Sequence, residues 1–248
     1  MKKIMICSGA GLSAESGIAT FRDSGGLWEN HRIEEVCDIT TFLENYTKVN
    51  QFYDSRRAQL SGVVPNPAHY AISAMEKEFE VINFTTNVDD LLERAGCSNV
   101  RHIHGNLLEV VTNHGSESEK IVNIGYDKSP YEELGLYPVK PNVVFFGEHA
   151  PMYQELHDEM VDLPHDAVML IVGSSEVVVQ FTLLARYIAK FRGKIVFVNP
   201  DEDLHIKVAG EQVIGYRMSA TQFFEQVSWD AIYNSPNPTL RKAGAPFF

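Results

Sequence analysis

The sequence predicts an α/β fold: a doubly wound parallel sheet, Rossmann-like, with a small inserted subdomain. Three observations predict it. Apolar runs of strand length recur without polar alternation, as expected of a parallel sheet covered on both faces. Helical patterns lie between these runs, which implies right-handed βαβ connections. The first run ends in a glycine-rich turn.

The first strand is read at Lys3 to Cys7, stopped by Ser8-Gly9. Further strand-like runs are VINFTTN (81–87), NVRHIHG (99–105), NVVFFGE (142–148), AVMLIVGSS (167–175) and KIVFVNP (194–200), with EQVIGYR (211–217) as an edge strand. In 41–60, Phe42, Tyr46, Val49, Tyr53, Arg56 and Leu60 recur at three- and four-residue steps and share a helix face. Asn66 is a candidate N-cap for a helix from Pro67 to Phe79. A short helix from Asp89 to Ala95 stops at Gly96, and another runs from Gln180 to Phe191. The stretch 108–140 is polar, with only weak strand runs, and is read as an insert. The large domain then takes about 1–30, 80–107 and 141–230, and the smaller parts about 31–79 and 108–140, within one unit of 1–248.

The chain of 248 residues is 44% hydrophobic and 22% charged, ordinary for a globular domain. Its formal net charge of −12 repels phosphate backbones, so no nucleic-acid partner is expected, whereas a cationic peptide would be attracted. Cys7, Cys37 and Cys97 are few, odd in number and far apart. That argues against a disulfide framework and for a reducing, cytoplasmic location. MKKIMIC passes into Ser-Gly-Ala-Gly with no apolar segment of a signal peptide. No run approaches the ~20 apolar residues of a membrane span, so no membrane partner is expected.

Gly9-Ala10-Gly11-Leu12-Ser13-Ala14 fits the G-x-G-x-x-G/A turn of dinucleotide-binding folds. The first Gly permits the turn, the second a close approach to a pyrophosphate, and the small third residue helix–strand packing, with a helix N-terminus facing the phosphates. A tight βα turn with no ligand satisfies the same pattern. The second strand of an ordinary Rossmann unit does not follow. GIATFRDSGGLWENHR reads instead as a lid, in which Arg22 pairs with phosphate and Phe21 screens a reactive carbon, or simply packs under the loop.

The motifs GAGLSAESGIATFR (9–22), TTNVDDLLERAG (85–96), HIHG (102–105), KPNVVFFGE (140–148), VGSS (172–175) and VNPDED (198–203) stand in the order and spacing of the sirtuins. The chain resembles these NAD-dependent protein-lysine deacylases over residues 3 to about 227, and is most similar to bacterial members of desuccinylase type. The resemblance implies NAD as cosubstrate and acyl-lysine proteins or peptides as substrates. It places Gly9, Ala10, Gly11, Ala14, Glu15, Phe21 and Arg22 in the cofactor loop. Thr86, Asn87, Val88 and Asp89 would line the nicotinamide pocket, Asp89 holding the carboxamide. Gly173, Ser174 and Ser175 would lie near the phosphates and ribose, and Asn199 and Pro200 near the adenosine ribose. Asn87, Asp89 and His104 form the implied catalytic set. As general base, His104 would accept a ribose hydroxyl proton, giving free lysine, nicotinamide and O-acyl-ADP-ribose. The alternative for His104 is a buried imidazole bonded to backbone.

FFGE and SSEVVV read as two strand edges between which a substrate peptide would pair, making Phe146, Gly147, Glu148 and Val177 substrate-side residues. Tyr53 and Arg56, three apart on one helix, match the pair that marks sirtuins preferring acidic acyl groups. A desolvated succinyl or malonyl carboxylate needs a guanidinium and a phenol donor; otherwise Arg56 is a solvated surface residue. The sequence also departs from the family. The 108–140 stretch has no cysteine, so no zinc or other metal site is expected, and the insert is expected to hold by packing alone. Thr86 stands where the family has Gln. Two other readings stay open: an NAD glycohydrolase or mono-ADP-ribosyltransferase on the same scaffold, and a nucleotide-binding regulator without turnover. A monomer is expected.

Overall fold

The computed structural model describes residues 1–19, 27–28, 31–187, 193–209, 213–229 and 232. In chain order the strands are β1 (Lys2–Ser8), β2 (Leu27–Trp28), β3 (His31–Arg32), β4 (Phe79–Thr85), β5 (Val100–His102), β6 (Gly105–Thr112), β7 (Lys120–Asn123), β8 (Lys140–Val143), β9 (Val168–Val172), β10 (Lys194–Val198) and β11 (Val213–Tyr216). The α-helices are α1 (Ile33–Val36), α2 (Tyr46–Ser61), α3 (Pro67–Met75), α4 (Leu91–Arg94), α5 (Met152–Val161), α6 (Phe181–Tyr187), α7 (Glu202–Val208) and α8 (Ala220–Gln226).

Among the described residues, six strands form a parallel sheet in the order β11-β10-β9-β1-β4-β5. The missing polar alternation has a direct cause. Met5, Cys7, Ile82, Phe84, Met169, Ile171, Ile195 and Phe197 pack on one face with Leu156 and Met160 of α5, Phe181 of α6 and Leu204 of α7. The intervening Ile4, Ile6, Val81, Val168, Leu170, Val172, Val196 and Val198 pack on the other with Ile72 of α3 and Phe223 of α8. Each such side chain contributes about 1.5–3 kcal/mol by leaving water. The chain runs outward from β1 to β4 and β5 and then returns to β9 on the other side of β1. The strand order therefore reverses between β1 and β9, where open α/β sheets form a binding crevice at the strands' C-terminal ends.

Several expectations need correction. The 142–148 run does not join the parallel sheet. β8 pairs antiparallel with β6, in a second, three-stranded sheet ordered β7-β6-β8. Val143 and Phe145 are buried instead against α2, and periodicity alone cannot say which sheet an apolar run joins. The 99–105 strand ends at His102; Ile103 and His104 form a turn, and Gly105 at φ 83° starts β6. The helix after the glycine loop is replaced by two short 3-10 turns, Ala10–Leu12 and Ala14–Ser16. α3, grouped above with the small part, packs on the parallel sheet. Asn66 does cap it, accepting from the amides of Ala68 and His69. Gly96 follows α4 at φ 99°, the left-handed position that favours Gly there.

The insert is held by more than packing. Tyr46, Asn50, Asp54 and Arg57 recur along one face of α2. The Tyr46 hydroxyl donates to Tyr131 O (3.0 Å) and accepts from Val139 N (2.9 Å). Asn50 Nδ2 donates to Val139 O (3.1 Å), while its Oδ1 accepts from Ser129 Oγ (3.0 Å). Arg57, 0% exposed, pairs with Asp54 and donates to Leu107 O (3.1 Å) and Asp127 O (3.2 Å). Buried Lys140 binds Glu148 Oε2 (2.9 Å) and sits 4.0 Å over the Phe145 ring. Such an embedded, fully bonded cation orders a small sheet that has little apolar core of its own.

Candidate functional site

The loops that follow β1, β4 and β9 meet at the crevice. Gly9 N donates to Val172 O (3.1 Å), Gly11 N to Gly173 O (3.0 Å), and Thr86 N to Ser8 O (3.0 Å). A Cβ at Gly11 would lie 2.7 Å from Gly173 Cα, and one at Gly173, φ 64°, would lie 2.4 Å from Leu12 N. These glycines thus let two backbones interlock. Ala10 and Ala14 are half-buried on the same turns. Phe21 and Arg22 lie outside the described residues.

Ser13, which the sequence reading did not assign, organises the next layer. Its hydroxyl donates to Asp89 Oδ2 (2.9 Å) and accepts from Asn87 Nδ2 (3.1 Å). Asn87 also donates to Gly9 O (3.2 Å), and Asp89 Oδ1 accepts from Leu91 N (3.2 Å). Burial raises the Asp89 pKa against the bonds from Ser13 and Leu91 and the charge of His102. The available signal was a hydroxyl inside an otherwise apolar glycine turn. Beneath Asn87, His102 holds two acceptors: Asn87 O at Nδ1 (2.8 Å) and Glu93 Oε1 at Nε2 (2.7 Å). Burial works against charge on His102, yet Glu93 and the Asn87 carbonyl lift its pKa above the ordinary value. Val88 packs on the third core cluster, under the same loop. Thr86 turns its hydroxyl back onto Ser8 O (3.3 Å).

The β9 loop is tied to β10. Asn199 Nδ2 donates to Ser174 O (2.8 Å), and Asn199 is buried beside exposed Pro200. Ser174 Oγ donates to Glu176 Oε1 (3.2 Å), and the other Glu176 oxygen accepts from Thr182 N (2.9 Å). Ser175 is half-buried between them. Glu176, at φ 53°, makes this segment a bend, so SSEVVV is not the expected strand edge. Val177 is 64% exposed. Glu15, expected at the cofactor, bonds Ser219 Oγ and Thr221 N (both 3.0 Å) at the start of α8, where a carboxylate complements unpaired amides.

His104 sits on the turn joining the two sheets, with its carbonyl accepting from Val144 N (2.9 Å). Its Nε2 is 3.2 Å from the Tyr153 hydroxyl. Burial lowers its pKa, opposed by a bond to the Thr86 backbone, so the ring is neutral at pH 7. The Phe146 amide donates to Cys37 O (2.9 Å) and its carbonyl accepts from Ile39 N (3.1 Å). The Phe146 backbone is thus already paired, where a free strand edge was expected, and its side chain is 49% exposed. Gly147 follows at φ 86°. The Glu148 carboxylate is engaged by Lys140 and by Phe145 N (2.7 Å), so its role here is to shape the segment.

Tyr53 is fully buried, stacked on Phe145 with centroids 5.7 Å apart, with buried Cys37 in the same cluster. The Arg56 guanidinium lies half-buried, 5.6 Å from the centroid of the Phe52 ring. The donor set suits a dinucleotide: a glycine-lined crevice at the strand-order reversal, with buried amide, hydroxyl and carboxyl groups on its floor. Among the described residues no cluster of His, Cys, Asp and Glu could hold a metal ion, and no helix is long and apolar enough to cross a membrane.

Residues 9–180 match the model of the Sir2 family. The chain is 40% identical over 217 residues to an NAD-dependent protein deacylase of Helicobacter hepaticus, covering 79% of this chain and 83% of that one. It is 46% identical over 181 residues to one of Campylobacter jejuni, covering 71% and 75%. Among solved structures, a Sir2 homolog–NAD complex superposes with TM-score 0.75 at 31% identity, over 91% of this chain and 87% of the other. Sir2Tm bound to a propionylated peptide gives 0.70 at 27%, over 90% of each.

Proposed function

The chain belongs to the Sir2 family, with NAD as cosubstrate, and we propose that it is a protein-lysine deacylase that removes succinyl and malonyl groups as well as acetyl. Its products are then nicotinamide, free lysine and O-acyl-ADP-ribose. The observation that carries the reading is the place of His104, on the turn joining the two sheets and bonded to the backbone of Thr86, the neighbour of Asn87, which the Ser13 hydroxyl ties to Asp89. Bound NAD supplies the glycosidic carbon that gives up nicotinamide and takes the acyl oxygen. His104 then accepts the proton of a ribose hydroxyl. The residues fitted to hold NAD are Gly9 to Ala14, Asn87, Asp89, Gly173 to Ser175 and Asn199. The Asp89 carboxyl and the Asn87 amide are fixed in advance by Ser13, so little reorganisation accompanies binding.

Support for acidic acyl groups comes from α2. Arg56 lies on an apolar ring near the buried cluster of Tyr53 and Phe145. There a guanidinium meets a carboxylate with little competition from water. The Thr86 hydroxyl, turned onto β1, favours a second reading: with that group withdrawn from the crevice, water replaces the peptide and the protein is an NAD glycohydrolase.

The test uses purified protein, NAD and matched acetyl-, succinyl- and unmodified-lysine peptides, with nicotinamide and ADP-ribosyl products followed. Acyl-dependent nicotinamide release is expected. Release without peptide supports the glycohydrolase. His104→Ala is expected to lower acyl transfer at least ~100-fold. Arg56→Met is expected to lower succinyl turnover ~10-fold or more while sparing acetyl turnover; equal losses overturn the acyl assignment.

A further inference from the structure

We propose that Tyr153 is a positioning residue for His104: its phenol donates to imidazole Nε2 and keeps the ring protonated on Nδ1 until an acyl-lysine displaces the hydroxyl. This rests on the reading of His104 as the base.

The other ring nitrogen decides the tautomer. His104 bonds to the Thr86 backbone. With Nε2 on the phenol, that contact falls to Nδ1, and a carbonyl there can only accept, so Nδ1 carries the proton. A neutral ring then has its lone pair on Nε2. The Tyr153 hydroxyl is 3.2 Å from that nitrogen, and the two rings meet edge to face at 6.2 Å and 83°. The phenol is therefore the donor. Burial lowers His104's proton affinity and the Thr86 carbonyl raises it; a phenol donating to Nε2 stabilises the neutral ring and lowers it further. The phenol's remaining contribution is to occupy the nitrogen on which the base must act.

Tyr153 also has a place from which to sense substrate. It is the second residue of α5, and its amide donates to Ala150 O (3.2 Å), so the helix starts directly after the Phe146–His149 segment. Its ring lines a groove of about 670 Å³ between α5 and α6, shared with His149, Val178, Leu183 and Tyr187. One aromatic side chain thus touches both the base and the surface next to the proposed peptide segment. Peptide seated there moves the ring, and moving the ring uncovers Nε2. Without peptide, the base nitrogen stays covered, which restrains proton transfer from water or from NAD alone.

The experiment is ¹⁵N NMR of the imidazoles in ligand-free wild type and Tyr153→Phe, together with the pH profile of kcat/KM for an acyl peptide. The expected wild-type signal for residue 104 is the Nδ1–H tautomer. In Tyr153→Phe the neutral form loses a hydrogen bond, so the His104 pKa rises by about 0.5–1 unit. The acid limb of kcat/KM moves up with it, while KM for NAD is unchanged. An Nε2–H tautomer in the wild type, or identical titrations in the two proteins, overturns the proposal. His104→Ala separates the two readings. If it retains acyl transfer, the base assignment fails. If it is inactive while the Tyr153→Phe titration is unchanged, only the role of Tyr153 fails.

Discussion

Ser13 shows how one hydroxyl can determine a site. It stands between an amide donor, Asn87, and a carboxylate acceptor, Asp89, on the loop after β4. Removing it leaves Asp89 with less compensation for burial and Asn87 with one anchor, the Gly9 carbonyl. Ser13→Ala is expected to cost about 1–3 kcal/mol in kcat/KM for NAD, ~5- to 150-fold. Urea unfolding should move much less, because the glycine interlock and the sheet remain. Steady-state kinetics beside a denaturation curve check this. The motifs single out His104, Asn87 and Asp89 in the sequence. They did not reveal Ser13, because its part depends on two residues more than seventy positions away. The bonds of Glu15 were not legible for the related reason that its partners are on α8.

At the scale of elements, α3 carries a titration switch in its cap. His69 is fully buried, its Nδ1 accepts from Asn66 N (3.2 Å), and burial lowers its pKa from 6.5 to about 4. The folded protein resists a proton that the unfolded chain accepts. The stability this contributes is complete above pH 6.5 and is lost as pH falls through about 4. The loss is about 3 kcal/mol. Urea midpoints from pH 7 to 4 should fall in the wild type and fall less in His69→Gln. Elements were legible where local chemistry decides them: the Asn66–Pro67 start, Gly96 after α4, and the edge strand at 213–216. They were not legible where partners decide. The VVFF run gives no sign that it will meet α2 and β6 rather than the parallel sheet. The polar face of α2 reads as solvated until the carbonyls of 107–139 arrive.

For the whole molecule, the formal charge of −12 sets the approach of substrate. Cationic peptides are drawn in by a long-range field that salt screens over ~8–10 Å. KM for a lysine- and arginine-rich acyl peptide should therefore rise with ionic strength, while KM for a neutral acyl peptide stays nearly flat. Parallel assays at about 0.02 and 0.5 M salt test it, and equal responses would put peptide recognition on short-range contacts alone.

The interlock of Gly9 and Gly11 with Gly173 has a consequence for biosynthesis. One half of that junction is translated more than 160 residues before the other. As the polypeptide emerges from the ribosome, its early glycine turn has nothing to close against until β9 has been made. The nucleotide therefore cannot chaperone the growing chain before β9 and can stabilise only one that already includes it.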